Sequence, residues 1–351
     1  MKGKSFMNAY LEAKLNSLSE DELSQVVDGF YKLSIYFSGA IGLSKKINIF
    51  LDNNIIQDIK HKDSNKKRQL KYIAVLLFIN FLKHEQKLNF EFFISPVVLY
   101  ESHGKRLFKS KKGFNKHIDK IAEILEVLEA PISLYGISDY SDFEQKLNNA
   151  LYDEKILLET LQSLSQQSWK MKLKEKGKIK LTFTHAFKSV PNNLSLKYFS
   201  DFYIDFILAT YIDNLILTTK TNNKEVKNMF TNSYEDFPLH KLIKEHKEKK
   251  GSLEGLGDIE LFELCDLTRQ YTEDNPYVNT VFTFDRTLFE VMNKRQGLSE
   301  GCSFVKGQDS EEEFVKKATK LLSGDSQIHN ILSEQNTFFD ATNKYLTKVV
   351  G

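Results

Sequence analysis

VNTVFTFDRTLF, Val278 to Phe289, is the stretch that decides how this chain reads. Its first part, Val278 to Phe284, is a β-branched and aromatic run of the kind that forms a buried strand. The run ends on a carboxylate, Asp285. Arg286, Thr287 and Leu288 then lead into a helical pattern through Glu290 and Met292. Asp285 is therefore expected at the carboxyl end of a strand, the edge at which open α/β sheets bind ligands.

The same arrangement occurs earlier. INIFL, Ile47 to Leu51, is strand-like and ends on Asp52; Asn53-Asn54 follows, and Ile55-Ile56 continues as a helix. A third acid, Glu101, lies in the helix after the strand-like LNFEFFI, Leu88 to Ile94. Ser95 is the expected N-cap of that helix and Pro96 its first residue. Val97 and Val98 share the Glu101 face, and a carboxylate on an apolar face is costly unless something pairs with it. A fourth acid, Asp258, follows the glycines of SLEGLG, Ser252 to Gly257. It opens an apolar helix expected from Asp258 to Arg269 and shares its face with Leu261 and Phe262; Glu260 is the alternative acid, on another side of that helix.

These residues resemble the PIN-domain nuclease family. The resemblance rests on LDNNII (Leu51 to Ile56), SPVVLYE (Ser95 to Glu101), GLGDIELFELC (Gly255 to Cys265) and TFDRTLF (Thr283 to Phe289). It also rests on their order: strand–acid, helix–acid, helix–acid, strand–acid. It covers roughly half of the chain, in two pieces. Two departures stand out. The family often has a further acid two residues after the last one, where this chain has Thr287. The interval from Glu101 to Asp258 is also far longer than in a compact member. The resemblance implies a three-layer α/β/α core with a parallel sheet, and RNA as the substrate.

Composition bounds the rest. At 351 residues the chain has room for two or three domains, and 41% hydrophobic residues support a sizeable core. The net charge of +2 excludes little. Cys265 and Cys302 are too few for a disulfide framework or a zinc site. MKGKSFMNAYLEAK has no apolar signal-peptide region. YIAVLLFINFL, Tyr72 to Leu82, is too short to span a bilayer, which takes about 20 residues, and is expected as a buried helix. The expectation is a cytoplasmic protein with no membrane partner.

In chain order, residues 1–44 form an N-terminal helical segment, with Ser19 and Glu22 as a capping box. Residues 45–110 are the first part of the PIN-like core. The charged KHKDSNKKR, Lys60 to Arg68, is its exposed connection. Residues 111–250 show mainly helical periodicity, broken at Pro131, Gly136 and Pro191, and are expected as a large helical insertion and a surface for a protein partner. Residues 251–325 complete the core, with an edge strand at Cys302 to Gly307 and a helix at Ser310 to Leu322. Residues 326–351 form a helical tail.

Hydrolysis of a phosphodiester needs an activated water and neutralisation of phosphate charge, and one or two divalent ions supply both. Mg²⁺ and Mn²⁺ take oxygen ligands. Asp52, Glu101, Asp258 and Asp285 are therefore the candidate metal ligands and catalytic residues. Lys105, Arg106 and Arg286 are candidate phosphate contacts. Each acid taken singly also fits a solvated strand end or a helix cap, and each cation fits surface charge. Asp205 and Asp213 lie on apolar helical runs of the insertion and suit paired or surface roles. His103 points away from Glu101, and His185 has no evident partner. No GxxxxGK[ST], GxGxxG, CxxC or Ser-His-Asp order occurs. The expected function is a metal-dependent nuclease. The alternatives are a non-catalytic PIN-like module that binds nucleic acid or protein, and a carboxylate-metal phosphatase.

Overall fold

The computed structural model describes residues 6–41, 46–165, 171–174, 178–181, 242, 251–265, 270, 276–296 and 325–350. The strands are β1 (Lys46–Leu51), β2 (Phe90–Ile94), β3 (Ile132–Leu134), β4 (Met171–Lys174), β5 (Lys178–Leu181) and β6 (Tyr277–Phe282). The helices are α1 (Phe6–Leu15), α2 (Glu20–Ile41), α3 (Asn53–Lys60), α4 (Lys66–Asn80), α5 (Pro96–Ser102), α6 (Lys111–Leu125), α7 (Tyr140–Ser165), α8 (Leu256–Cys265), α9 (Arg286–Gln296) and α10 (Asp325–Val350).

The three strands expected from the sequence lie in one sheet. Its order is β3-β2-β1-β6 and every pairing in it is parallel. β1 and β6 pair along their full length, from Lys46 with Tyr277 to Leu51 with Phe282. Both are buried on both faces toward their carboxyl ends, as parallel strands covered by helices must be. From β1 the chain moves outward through β2 to β3, then returns to place β6 on the other side of β1. The direction of strand addition therefore reverses between β1 and β6. That reversal opens a crevice at the carboxyl ends of the two strands.

Helices cover both faces. Thr280 of β6 donates to the Tyr36 carbonyl of α2 at 3.5 Å, while Asn279 donates to the Leu264 carbonyl of α8 at 3.1 Å. Successive strand residues point to opposite faces, so α2 and α8 flank the sheet. Phe282 points as Thr280 does and meets Phe78 of α4 at 5.4 Å. The α2–α4 packing is close: a Cβ on Gly29 would stand 2.9 Å from the Ala74 Cβ. Helix α10 docks on this side through Phe338 and Tyr345, whose rings pack on Phe37, Phe81 and Phe30. On the other face Phe50 stacks with Phe93 at 5.7 Å and meets Tyr135 at 4.8 Å.

Local signals account for the element starts. Ser19 and Glu22 exchange the two bonds of a capping box, at 3.0 and 3.4 Å. Ser95 caps α5, with Pro96 at its first position. The apolar run from Tyr72 is the buried part of α4, and its last turn widens into a π-turn at Phe81–Glu85. Among the described residues no helix is long and apolar enough to cross a membrane.

The stretch read as a helical insertion, 111–250, departs from that reading in its described part. β3 lies inside it and is the outermost strand of the sheet, paired to β2 from Phe92–Ile132 to Ile94–Leu134. Phe114, Ile121, Leu125, Phe143 and Leu147 of α6 and α7 belong to the same core as the sheet. β4 and β5 add an antiparallel pair that helical periodicity does not signal. A three-residue strand leaves too short a pattern to read, because its place is set by pairing with β2. Pro191, His185, Asp205, Asp213, the strand at 302–307 and the helix at 310–322 lie outside the described residues.

Candidate active site

β1 ends in the buried Leu51, and Asp52 follows as the N-cap of α3. Its Oδ1 accepts the Asn54 backbone N–H at 3.2 Å, and its Oδ2 accepts the Asn54 amide at 3.1 Å. A third donor comes from 231 positions away in sequence: the Thr283 hydroxyl, 2.5 Å from Oδ2. Asp52 is only 3% exposed. At the end of β6 the chain turns at Thr283, whose hydroxyl also accepts the Asp285 N–H at 2.9 Å. Asp285 then caps α9 through the Leu288 N–H at 2.8 Å. The two strand-end acids thus stand side by side at the crevice, and Thr283 touches both.

Glu101 arrives on α5 and Asp258 on the first turn of α8. Glu101 Oε1 is 3.3 Å from Lys105 Nζ and accepts the Gly257 N–H at 3.3 Å. Gly257 is needed for that approach, since a Cβ there would lie 2.6 Å from Glu101 Oε2. Gly255 is confined in the same way, its notional Cβ 2.7 Å from Asp258 Oδ2. Asp52, Glu101, Asp258 and Asp285 line one cleft of about 360 Å³ with Asn53, Asn54, Lys105, Glu254 and Thr287. All four sequence-derived acids therefore meet at one place, and Thr287, where the family often has an acid, faces the same space.

The electrostatics of the cleft are strained. Burial, opposed by the Thr283 and Asn54 bonds and reinforced by Glu101 and Asp285, pushes the Asp52 carboxyl up to about 6. Burial raises Glu101 as well, against the pull of Lys105 and Gly257. Asp258 keeps some solvent contact, yet packing and then repulsion from Asp52, Asp285 and Glu101 hold it well above the usual carboxylate range. Beneath the cleft the buried Tyr36 hydroxyl donates to the Leu288 carbonyl at 3.0 Å, and burial followed by the field of Asp285 and Asp52 raises it too.

Among the described residues, no three or more His, Cys, Asp and Glu side chains stand in metal-holding geometry. Asp52 and Asp285 accept helix N–H groups, and Glu101 is held by Lys105 and Gly257.

The candidate phosphate contacts divide. Lys105 lines the cleft, but its ammonium group is already held by Glu101 and by the carbonyls of Leu253 at 3.1 Å and Glu254 at 2.7 Å. Its backbone is left-handed, with φ of 56°, an uncommon state for a side-chain-bearing residue. Lys105 thus clasps the α5 loop to the segment that leads into α8. Arg286 extends into solvent and pairs with Glu290 at 2.9 Å. Arg106 is exposed.

Sequence reasoning does not find Thr283 or Glu154, and it gives Glu260 only as an acid on another side of its helix. Thr283 reads as one more strand residue, and its role rests on a contact from a distant stretch. Glu260 is buried and joins α8 to the start of α5, accepting the Ser95 hydroxyl and the Val97 N–H, the latter at 3.1 Å. Glu154 of α7 accepts the Leu253 N–H at 2.5 Å and adds to the repulsion on Glu101. It had a signal: Leu147, Ala150, Glu154 and Leu157 share helical spacing, so an acid occupies an apolar stripe. Comparisons with protein-family models, with curated proteins and with solved structures found no match.

Proposed function

We propose that this chain is a metal-dependent nuclease on a PIN-like core, hydrolysing phosphodiester bonds with RNA as the favoured substrate. The observation that carries the reading is the convergence of four acids, from four separate elements, on one cleft at the switch point of a parallel sheet. Asp52 and Asp258 are held above the ordinary carboxylate range there. Perturbed acids gathered in a cleft make a functional-site candidate. RNA rests on the family resemblance.

The donor set fits a hard divalent cation. It consists of carboxylates with the amide of Asn54 and the hydroxyl of Thr287 nearby, and oxygen ligands suit Mg²⁺ or Mn²⁺. The same cation would relieve the repulsion that raises these acids. Asp52, Glu101, Asp258 and Asp285 would hold it. When bound, such an ion polarises a phosphoryl oxygen and makes water acidic enough to yield a nucleophile near neutral pH. The chain's own residues prepare the site. Thr283 and Asn54 orient Asp52. Gly257 and Lys105 hold Glu101. The exposed Arg106, beside Lys105, would be the phosphate contact.

Labelled RNA and DNA incubated with Mn²⁺, Mg²⁺ or EDTA test this reading. Cleavage is expected only with the divalent ions, and Asp52→Asn or Asp285→Asn should abolish it. Equal cleavage in EDTA would point to a metal-free reaction. A binding module is the second reading. It is favoured by the local work three of the acids already do, Asp52 and Asp285 as caps and Glu101 as an ion-pair partner, and a chain that neither cleaves nor gains thermal stability from metal would support it.

A further inference from the structure

Two charged stretches, one of them around the exposed connection Lys60 to Arg68, come together on one side of the cleft. Residues 57–72 carry six Lys and Arg against two carboxylates, and residues 103–120 carry seven against one. Together they hold ten more cations than carboxylates, of which Lys66 and Lys105 pair with Glu22 and Glu101 outside these stretches, while the whole chain is only +2. The rest of the chain is therefore net negative, and the positive charge is concentrated.

The fold makes these stretches one surface. Helix α3 starts at the cleft with Asn53 and Asn54 and ends at Lys60. It packs on α6, which carries Lys116 and Lys120. The joint between them is ordered: Ser102 Oγ, one residue after Glu101, lies 2.8 Å from His117 Nε2, and the His117 ring meets His103 at 4.8 Å. Burial first, then His103, Lys120 and Lys60, press the His117 imidazole down to about 4. It therefore sits neutral among these cations and takes none of their charge away. Lys60, Arg106, Lys116 and Lys120 are exposed, and none has an ion-pair partner among the described residues. Folded domains commonly neutralise their surface lysines by interspersed carboxylates. A one-sided patch of this kind is the footprint of a polyanion.

We infer that the α3–α6 face, from Lys60 across Lys116 and Lys120 to Arg106, binds the phosphate backbone of a nucleic-acid strand whose next phosphates enter the acid cleft. The inference rests on the nuclease reading for what happens in the cleft, but not for the binding itself. Helix α3 spans about 12 Å at 1.5 Å per residue, so the patch lies within a few nucleotides of Asp52. A strand held by cations there can bring a phosphate up to four carboxylates that would otherwise repel it. The contacts run to phosphate, so they position the strand without reading its sequence.

The test compares the parent, a Lys60→Gln/Lys116→Gln/Lys120→Gln variant, and a control Lys32→Gln/Lys155→Gln/Lys344→Gln that removes equal charge elsewhere. Binding of labelled unstructured RNA, of the same sequence as DNA, and of anionic lipid vesicles is measured in EDTA over a salt series. The patch variant should bind RNA at least about tenfold more weakly than the control. Its slope of log affinity against log salt should shrink by about 2, at roughly 0.7 per lost contact with a single strand. Weakening of DNA and RNA alike is expected of backbone contacts. Equal RNA binding by patch variant and control overturns the inference, as does a parent that captures vesicles and no nucleic acid. A parent that shows patch-dependent binding and no cleavage with Mn²⁺ overturns the nuclease reading and leaves this surface standing.

Discussion

Asp52 shows how one residue serves two purposes at a cost. Its carboxylate caps α3 and takes the Thr283 hydroxyl, yet burial and neighbouring acids raise it to about 6. A carboxyl raised in the folded state stabilises least when ionised. The contribution is favourable below its unfolded value near 3.8 and is lost as pH rises through about 6. Asn keeps the shape and the capping oxygen and removes the charge, with its amide nitrogen in place of the Oδ2 that accepts from Asn54 and Thr283. Metal-free Asp52→Asn protein should therefore melt higher than the parent at pH 7.5, by up to about 3 kcal/mol for a shift of roughly 2 units. The gain should vanish near pH 4, and calorimetry at the two pH values checks the sign. The same variant should lose divalent-dependent cleavage. Gly257 gives the converse case. An added methyl would meet Glu101 Oε2 at 2.6 Å, while Ala favours a helix over Gly by roughly 0.5–1 kcal/mol. Gly257→Ala should thus cost little in melting temperature and much in cleavage, because Glu101 must swing away. Equal activity would show that Glu101 is not needed where it stands. All four acids were legible in the sequence because each interrupts or ends an apolar pattern. Thr283 was not, since nothing near it in the chain shows that its partner is Asp52.

At the scale of elements, α5 and α8 carry Glu101 and Asp258, and the buried Glu260 holds the two helices together. Burial, only partly offset by the Ser95 and Val97 bonds, pushes its carboxyl up to about 8. The sign follows as for Asp52: Glu260 stabilises fully below about 4.5, and that contribution is lost as pH rises through about 8. The parent should lose stability between pH 6 and pH 9. Glu260→Gln, which stays neutral, should flatten that part of the profile in chemical denaturation. Glu260→Ala should cost about 1–3 kcal/mol for each stranded donor, Ser95 Oγ and the Val97 N–H. The three main strands and the α5 cap were legible because periodicity and Ser95-Pro96 are local signals. β3 was not: Ile132–Leu134 is too short to show alternation, and only its register with Phe92–Ile94 makes it a strand. The boundary expected near residue 110 fell on a genuine change of composition, yet Phe114 and Phe143 continue the same core.

Across the whole molecule, a cation bound only by the folded state stabilises it by RT ln(1 + [L]/Kd), about 2.7 kcal/mol at a hundredfold excess over Kd. Mn²⁺ should raise the melting temperature of the parent by several degrees, EDTA should reverse the rise, and Asp285→Asn should shrink it. No shift in the parent would remove the metal from the proposal. The fold that presents the site is closed on one side by α10, whose Phe338 is 1% exposed among Phe37, Phe81 and Phe339. Phe338→Ala should cost about 3–5 kcal/mol, measurable by denaturant titration, with cleavage retained in whatever fraction stays folded.

The place of β6 beside β1 also sets the order in which the protein comes into being. Thr283 and Asp52 are 231 positions apart. At about 5–20 residues per second on a ribosome, roughly 10–50 s separate the appearance of the two halves of the cleft. During that interval β1 can pair with β2 but keeps its other side bare, as an unprotected sheet edge. A nascent chain, or one cut short before Tyr277, holds Asp52 and Glu101 without Asp285. On the nuclease reading, such a chain is harmless to the message that encodes it.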